Sequence, residues 1–578
     1  MSTEDRNRRA RSVSTATRWS GAVLTMGLVI SGCATIPTSG PVHQVEPPVA
    51  TATETTAEST VAGPEDGMSQ EEIVRGFLAA GAGQENDYGV ARQFLTPDLA
   101  STWRPDARTV VFSGAAGIQQ GLEDDQVRVS VDARALIGDT GIMQRQEAGS
   151  SEAMDVELTQ VDGQWRISDV PDGVLIPASN LNELYRPHNL YFLAPDGETV
   201  VPDPRWFPDR PGVSTSLVRA LLAGPAPYLE SAVTSAYPAD AELEGASVPV
   251  QDGTATVSLN VPNYSALDVA TNREMYSQLT LTLLALDNVD RVDFLAGGGQ
   301  IDLGSSNQEM LSTDPQEVPG RQIGLDGDQL VFQQGGQSSP VPEVSQALVG
   351  SDPSDPAMNR DTNEFAALTQ NQSELVTFST FQPEPAERFT GTRLTAPSVD
   401  TDGWVWSGDQ SGQIRAVEIA QPDADPVTVD ADWLDGRTVT SLKISRDGTR
   451  ALLVVADGDS SQILISGVRR DSDGTPESLN EPYVVDSGQG AAMMGDARWI
   501  SESQFVAATI TDRSAAPRLY DVSGRYRDLP FLEGGVEGIS GGNGDSEIFV
   551  VTDGQLRMLT GESWSLQSES VESTAFAG

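Results

Sequence analysis

Apolar residues recur along this chain on three rhythms, and each rhythm keeps to its own stretch. The first is a continuous run: Trp19 to Ile30 is mostly apolar, with arginines before it and small residues after it. A dozen residues is too short for a membrane-spanning helix, which needs about 20. The second rhythm mixes helical and strand periods. In "MSQEEIVRGFLAAGAG", Ile73, Val74, Phe77 and Leu78 share one helical face, Ser69 and Glu72 read as a capping box, and Gly81 to Gly83 end the helix. A short helix, "VARQFLTP", stops at Pro97. Strands follow in "TVVFSG", "VRVSVDARALIG" and the hairpin "DVELTQVDGQWRISDV", which turns at Asp162-Gly163. Helices first and then a curved antiparallel sheet ending on a Trp-bearing strand predict an α+β domain over 64–186.

From 187 to 300 the alternation changes. "NLYFLAPDGETVV" is a hairpin around Asp196-Gly197, and "STSLVRALLAGPAP" is a helix with Leu217, Val218, Leu221 and Leu222 on one face. "ASVPVQDGTATVSLNV" is a second hairpin around Asp252-Gly253. A long helix through Met275, Leu279, Leu283 and Leu286 then leads into the strand "VDRVDFLAGG". This is a second small α+β domain. The third rhythm fills 318–575 with short apolar strands and turns rich in Asp, Gly and Ser, as in "SVDTDGWVWSGDQSGQIRAV" and "ISRDGTRALLVVADGDSSQILISGV". Where the units are clear they recur every 40 to 55 residues or so, which with four strands per unit predicts a β-propeller of six or seven blades. A pair of β-sandwiches is the competing fold. The fold class is thus multidomain, two small α+β domains followed by an all-β propeller.

The short apolar run acquires meaning from its flanks. Arg6, Arg8, Arg9, Arg11 and Arg18 precede it, and Ile30-Ser31-Gly32-Cys33 closes it. A positive head, a short apolar middle and a small-residue end describe a signal peptide over 1–32. Cys33 is the single cysteine of the 578 residues and has no internal disulfide partner. The four closing residues resemble a bacterial lipobox, which implies S-diacylation of Cys33, cleavage before it and acylation of the new amino group. Residues 34–63, rich in Pro, Thr, Ala and Glu without a hydrophobic period, read as a disordered tether.

Charge then narrows the partners. Removing five Arg with Glu4 and Asp5 leaves 31 basic against 82 acidic residues, a mature charge of −51. Such a chain is repelled by nucleic acid and by anionic headgroups, so no nucleic-acid partner is expected and membrane attachment rests on acyl chains. Lys443 is the single lysine, which reads as composition bias without mechanistic meaning. Catalytic chemistry finds little footing. There are two histidines, His43 in the tether and His188 at the mouth of a strand, and no nucleophile elbow accompanies either. With Cys33 committed to lipid, His/Cys ligands are too few for zinc. No phosphate loop or calcium loop is present, and "DSDG" at 471–474 is more simply a turn. No metal, cofactor or enzymatic activity is therefore expected. Trp404, Trp406, Trp433, Trp499 and Trp564 could stack on glycan or simply fill blade cores.

Three resemblances now join. The first block, opening "EEIVRGFLAAGAG…ARQFLTPDLASTW", is similar to the nuclear-transport-factor-like cone, whose apolar lining serves equally as ligand pocket or ordinary core. The "LLAGP" helix end, the "SAYP" step and the hairpin "VQDGTATVSL" look like a GerMN domain. With the lipobox and the propeller pattern, the whole chain resembles the LpqB lipoprotein family of actinobacteria. That resemblance implies a lipid-anchored protein on the extracytoplasmic face of the cell membrane. It also implies contact with the extracellular domain of the sensor histidine kinase of the MtrA–MtrB two-component system, and influence on envelope homeostasis and division. The alternative is a module that binds wall glycan or another envelope polymer, as scaffold or export helper.

Overall fold

A computed structural model describes residues 62–578, except 85, 148, 302, 304–310, 312, 314, 315, 491 and 492. The lipobox residues Ile30, Ser31 and Gly32, the acylation site Cys33, His43 and almost all of the tether lie outside the described residues. The first helix, Gln70–Ala80, begins on the expected capping box: the Glu72 N–H reaches Ser69 Oγ, and the Glu72 carboxylate accepts the Ser69 N–H at 2.8 Å. Those bonds satisfy N–H groups that have no partner inside the helix, and they hold the Glu72 carboxyl below its ordinary range. Ile73, Val74, Phe77 and Ala80 are buried against a six-stranded sheet, while Leu78 sits at its border.

That sheet runs from the long strands Arg108–Gln120 and Gln126–Gly138 to Ser151–Val161 and the Trp165-bearing strand Gln164–Asp169. Asp162 and Gly163 both take positive φ between the last two, the requirement of a two-residue turn matched to strand twist. The chain does not stop there as the alternation suggested. Val174–Pro177 returns to pair in parallel with Arg108–Gln120, so the sheet is mixed rather than wholly antiparallel. A four-residue strand carries too short a pattern to announce this.

The second module starts with the hairpin Tyr185–Leu193 and Val200–Pro208. Helix Val213–Leu222 buries Leu217, Val218 and Leu221. Thr254–Asn260 and Arg291–Ala296 pair in parallel, linked by helix Val269–Leu284, which ends two residues before Leu286. The modules meet directly: Trp206 and Tyr185 join the core of the first domain, and the Trp206 N–H donates to Gly141 O at 2.7 Å.

From Gln322 onward the chain builds six antiparallel sheets around one axis. Their innermost strands, Ser354–Met358, Ser398–Val399, Thr438–Ile444, Asp496–Trp499, Gly538–Gly541 and Val571–Ala575, touch in sequence and close a ring. Closure is made by the last of these. Val571–Ala575 pairs with Gln322–Asp326 and completes a blade whose other three strands come from the start of the domain. The blade number is six. The repeat blurred in sequence partly because of the fourth blade, where the 11-residue strand Ser460–Arg470 pairs with Tyr483–Gln489 along one half and with an inserted strand, Pro476–Leu479, along the other. Asp-rich turns do the same work throughout: the carboxylates of Asp400, Asp409, Asp471 and Asp521 each accept backbone N–H groups two and four residues on. "DSDG" at 471–474 is one of these turns.

The second module and the propeller share one hydrophobic core. Leu229, Val233 and Leu279 on one side are continuous with Leu452, Ile463, Val485 and Phe505 of the fourth and fifth blades on the other. Gly467 makes this possible, since a β-carbon there would lie 2.4 Å from Tyr228 O. Tyr228 also packs on Tyr483 with ring centroids 5.6 Å apart, and Asn480 Nδ2 donates to Tyr228 O and Glu230 O.

Candidate binding sites

Three concave regions are candidates. The smallest lies in the cone, between helix Gln70–Ala80 and the sheet, lined by Phe77, Val129, Val131, Met154 and Val174 and rimmed by the Arg108–Glu152 ion pair. Its volume of about 100 Å3 is below the range of roughly 300–1,000 Å3 typical of small-molecule sites. The apolar residues of the cone are therefore core.

The second is a cleft of about 730 Å3 between the second module and the propeller, walled by Asp196, Asp402, Glu418, Asp471 and Trp404. Arg470 stands beside this wall, bonded to Asp400 Oδ2 at 2.6 Å and lying over the Trp406 ring, whose Nε1–H donates to the same Asp400 oxygen at 2.7 Å. Burial raises the Asp402 carboxyl above its usual range, against the opposing pull of Arg470. The third is a cavity of about 750 Å3 on the propeller axis, to which all six blades contribute.

The residues that sequence reasoning weighed for chemistry are spread apart. His188 is half-buried on strand Tyr185–Leu193 and burial pushes its pKa down; the charged groups acting on it are Asp209, Arg186 and Asp287. Trp406 and Trp499 are buried in blade cores. Trp433 and Trp564 spend their indole N–H groups on Leu479 O and Pro530 O, leaving Trp404 alone of the five at a cleft. Among the described residues no group of three or more His, Cys, Asp or Glu side chains could hold a metal ion, and no helix is long and apolar enough to cross a membrane.

Lys443 has a role that sequence reasoning denied it. The single lysine is buried on the innermost strand of the fourth blade, 6% exposed, and its Nζ donates to the carbonyl oxygens of Ala396 (2.9 Å) and Pro397 in the link to the third blade. Burial, reinforced by the nearby Arg498 guanidinium, drives its pKa well below the ordinary lysine range. The carbonyls of Ala396 and Pro397 receive two of its N–H groups. Nothing in the sequence around "SLKIS" distinguishes this lysine from one on a surface strand; its rarity was the available signal.

The comparisons with known proteins follow the module order. The model described as "Lipoprotein LpqB, N-terminal domain" matches residues 63–182, that described as "Sporulation and spore germination" matches 189–302, and that described as "Lipoprotein LpqB beta-propeller domain" matches 328–575. The chain belongs to the LpqB lipoprotein family. Lipoprotein LpqB of Thermobifida fusca is 28% identical over 525 residues, covering 80% of this chain and 82% of its own. That of Mycolicibacterium smegmatis is 28% identical over 485 residues, covering 78% and 80%. A chain of a nidogen/laminin complex overlaps 44% of this chain and 98% of its own at 8% identity and a TM-score of 0.34, too shallow a likeness to carry an argument.

Proposed function

We propose that this protein is an accessory anchored through acyl chains on Cys33 to the extracytoplasmic face of the cell membrane. There it binds the extracellular domain of a sensor histidine kinase of the MtrA–MtrB type and modulates signalling in envelope homeostasis and division. The observation that carries the reading is the match to both LpqB-specific domains with a germination-type domain between them, in an order shared with relatives across most of their length. The shared core of the second module and the propeller supports it, because a body of that kind offers a partner fixed surfaces.

Anchoring has a physical purpose in this reading. A transient contact has a Kd on the order of micromolar. Confinement to the partner's membrane, on a tether of about 30 residues reaching roughly 30 Å, raises the effective concentration and gains about 10²-fold or more in avidity. The test is a secreted form that lacks Cys33, at native expression. It should bind the purified kinase extracellular domain as tightly as the intact protein, yet fail to restore signalling in cells. Full restoration by the untethered form overturns the confinement argument. The polar axial cavity favours a second reading, a binder of wall glycan or another envelope polymer; a pull-down on isolated cell wall beside one on the kinase domain separates the two.

A further inference from the structure

The axial cavity holds features that the kinase-binding reading does not use. Its walls come entirely from the propeller, and its mouth opens where the outer strand of one blade passes to the inner strand of the next, at residues such as Arg393 and Gly495. The second module meets the propeller at the other end of the inner strands, where Asp196 and Ala232 share the cleft with Asp402 and Asp447. Among the described residues the mouth is clear of the α+β modules.

Inside, the fifth blade contributes Asp496 and Arg498 to the cavity wall. The Arg498 side chain is 14% exposed; its Nη1 lies 2.8 Å from the Asp496 carboxylate as an ion pair, and its Nε is buried without a hydrogen-bond acceptor. The same Asp496 oxygen is already engaged by Ser441 Oγ (2.7 Å) and the Ala497 N–H (2.8 Å). Ser354 Oγ, across the cavity, also lacks a protein partner. The exposed part of a guanidinium at a cavity wall forms its strongest bonds with carboxylate or phosphate oxygens. Phosphate is disfavoured by the rest of the wall: Asp355, Asp496, Glu537 and Glu572 set four carboxylates against the two guanidinium groups of Arg393 and Arg498. A polyanion would meet net negative charge, whereas a ligand carrying its own compensating ammonium would be favoured at both ends.

We propose that the axial cavity binds a small zwitterion, an amino acid or short peptide with free ends, its carboxylate on Arg498 and its ammonium among the wall carboxylates. The volume of about 750 Å3 falls within the roughly 300–1,000 Å3 of small-molecule sites.

Titration calorimetry on the detergent-solubilised full chain tests this with alanyl-alanine, its C-terminal amide and its N-acetyl derivative. The free dipeptide should bind saturably at about millimolar concentration or below, and the amide about tenfold more weakly or worse. Arg498→Gln should weaken the free dipeptide by a similar factor. Glu537→Gln, at an exposed rim position, should weaken the free dipeptide while leaving the N-acetyl form unaffected. The amide comparison uses the unaltered protein, so a folding defect in Arg498→Gln cannot obscure the result. No saturable binding up to about 10 mM, or equal binding of dipeptide and amide, overturns the proposal.

Discussion

Replacing the single lysine separates two effects that usually blur together. Lys443→Met removes a buried amine and leaves the carbonyls of Ala396 and Pro397 without their donor. Losing a buried partner costs about 1–3 kcal/mol per group, and that cost does not vary between pH 7.5 and 9.5. The second effect does vary. Burial and Arg498 depress the native-state pKa of Lys443 well below its unfolded value. Between the two values the unfolded chain holds a proton that the native chain does not, so stability rises with pH, is fully present above the unfolded pKa and is lost as pH falls through the native one. The slope approaches about 1.4 kcal/mol per pH unit for one proton. The window is unusually clean because no other lysine titrates in it, and groups common to both proteins cancel in the difference. Urea unfolding followed by fluorescence at three pH values, at fixed ionic strength, gives that difference. The wild type should gain on Lys443→Met by on the order of 1 kcal/mol per unit as pH rises. A difference that stays flat across the two units would refute the argument and show that the ammonium remains charged in the blade.

Arg205→Met should destabilise by about 3–5 kcal/mol. Asp203 (0% exposed) and Arg205 (1%) form a two-point ion pair, and Arg205 also donates to Thr140 O and Gly224 O; adding Asp203→Asn should recover part of the loss, as a double-mutant cycle would read. Gly467→Ala should cost about 1–3 kcal/mol through overpacking at the junction, with faster amide exchange around Tyr228 as the local signature; unchanged exchange would mean that the junction yields easily. Cys33→Ala should move the protein out of the detergent-soluble membrane fraction or leave it unprocessed, and membrane-bound, carbonate-resistant, cleaved protein would contradict lipid anchoring. Chelator should leave the melting temperature where it is, and a drop of several degrees would expose a carboxylate-bound cation.

How legible the molecule was in its sequence depended on whether each feature is local. The capping box at Ser69 and Glu72, the Asp162-Gly163 turn and the Asx-type turns of the propeller are set by residues two to four apart, and they could be read directly. The parallel return of Val174–Pro177, the closing strand Val571–Ala575 and the inserted strand in the fourth blade are long-range pairings with no short signature. The blade count stayed open for the same reason. The candidate site was barely legible at all. Asp355, Asp496 and Arg498 lie on two blades and up to 143 positions apart, so closure of the ring is what brings them together.

The buried charges also explain why an extremely acidic chain keeps so many arginines inside. Arg205, Arg450 and Arg470 each pair with an aspartate that also accepts neighbouring N–H groups: Asp203 from Ala226, Asp447 from Thr449 and Asp400 from Trp404. A buried carboxylate satisfied on several sides tolerates burial only with its cation present. At Asp447 these contacts outweigh desolvation and hold the carboxyl below its ordinary range. Arg205, through Thr140 O and Gly224 O, and Arg470, through Asp400, tie segments distant in sequence, whereas Arg450 and Asp447 form a local pair three residues apart. Arg498 differs from Arg205 and Arg470. Its carboxylate, Asp496, is engaged by other donors, and burial raises that carboxyl above its ordinary range despite the guanidinium beside it. Arg498 pairs with Asp496 two residues away on its own strand and lies at the wall of the axial cavity rather than between distant segments. That contrast with Arg205 and Arg470 is why the proposed ligand's carboxylate is placed on Arg498.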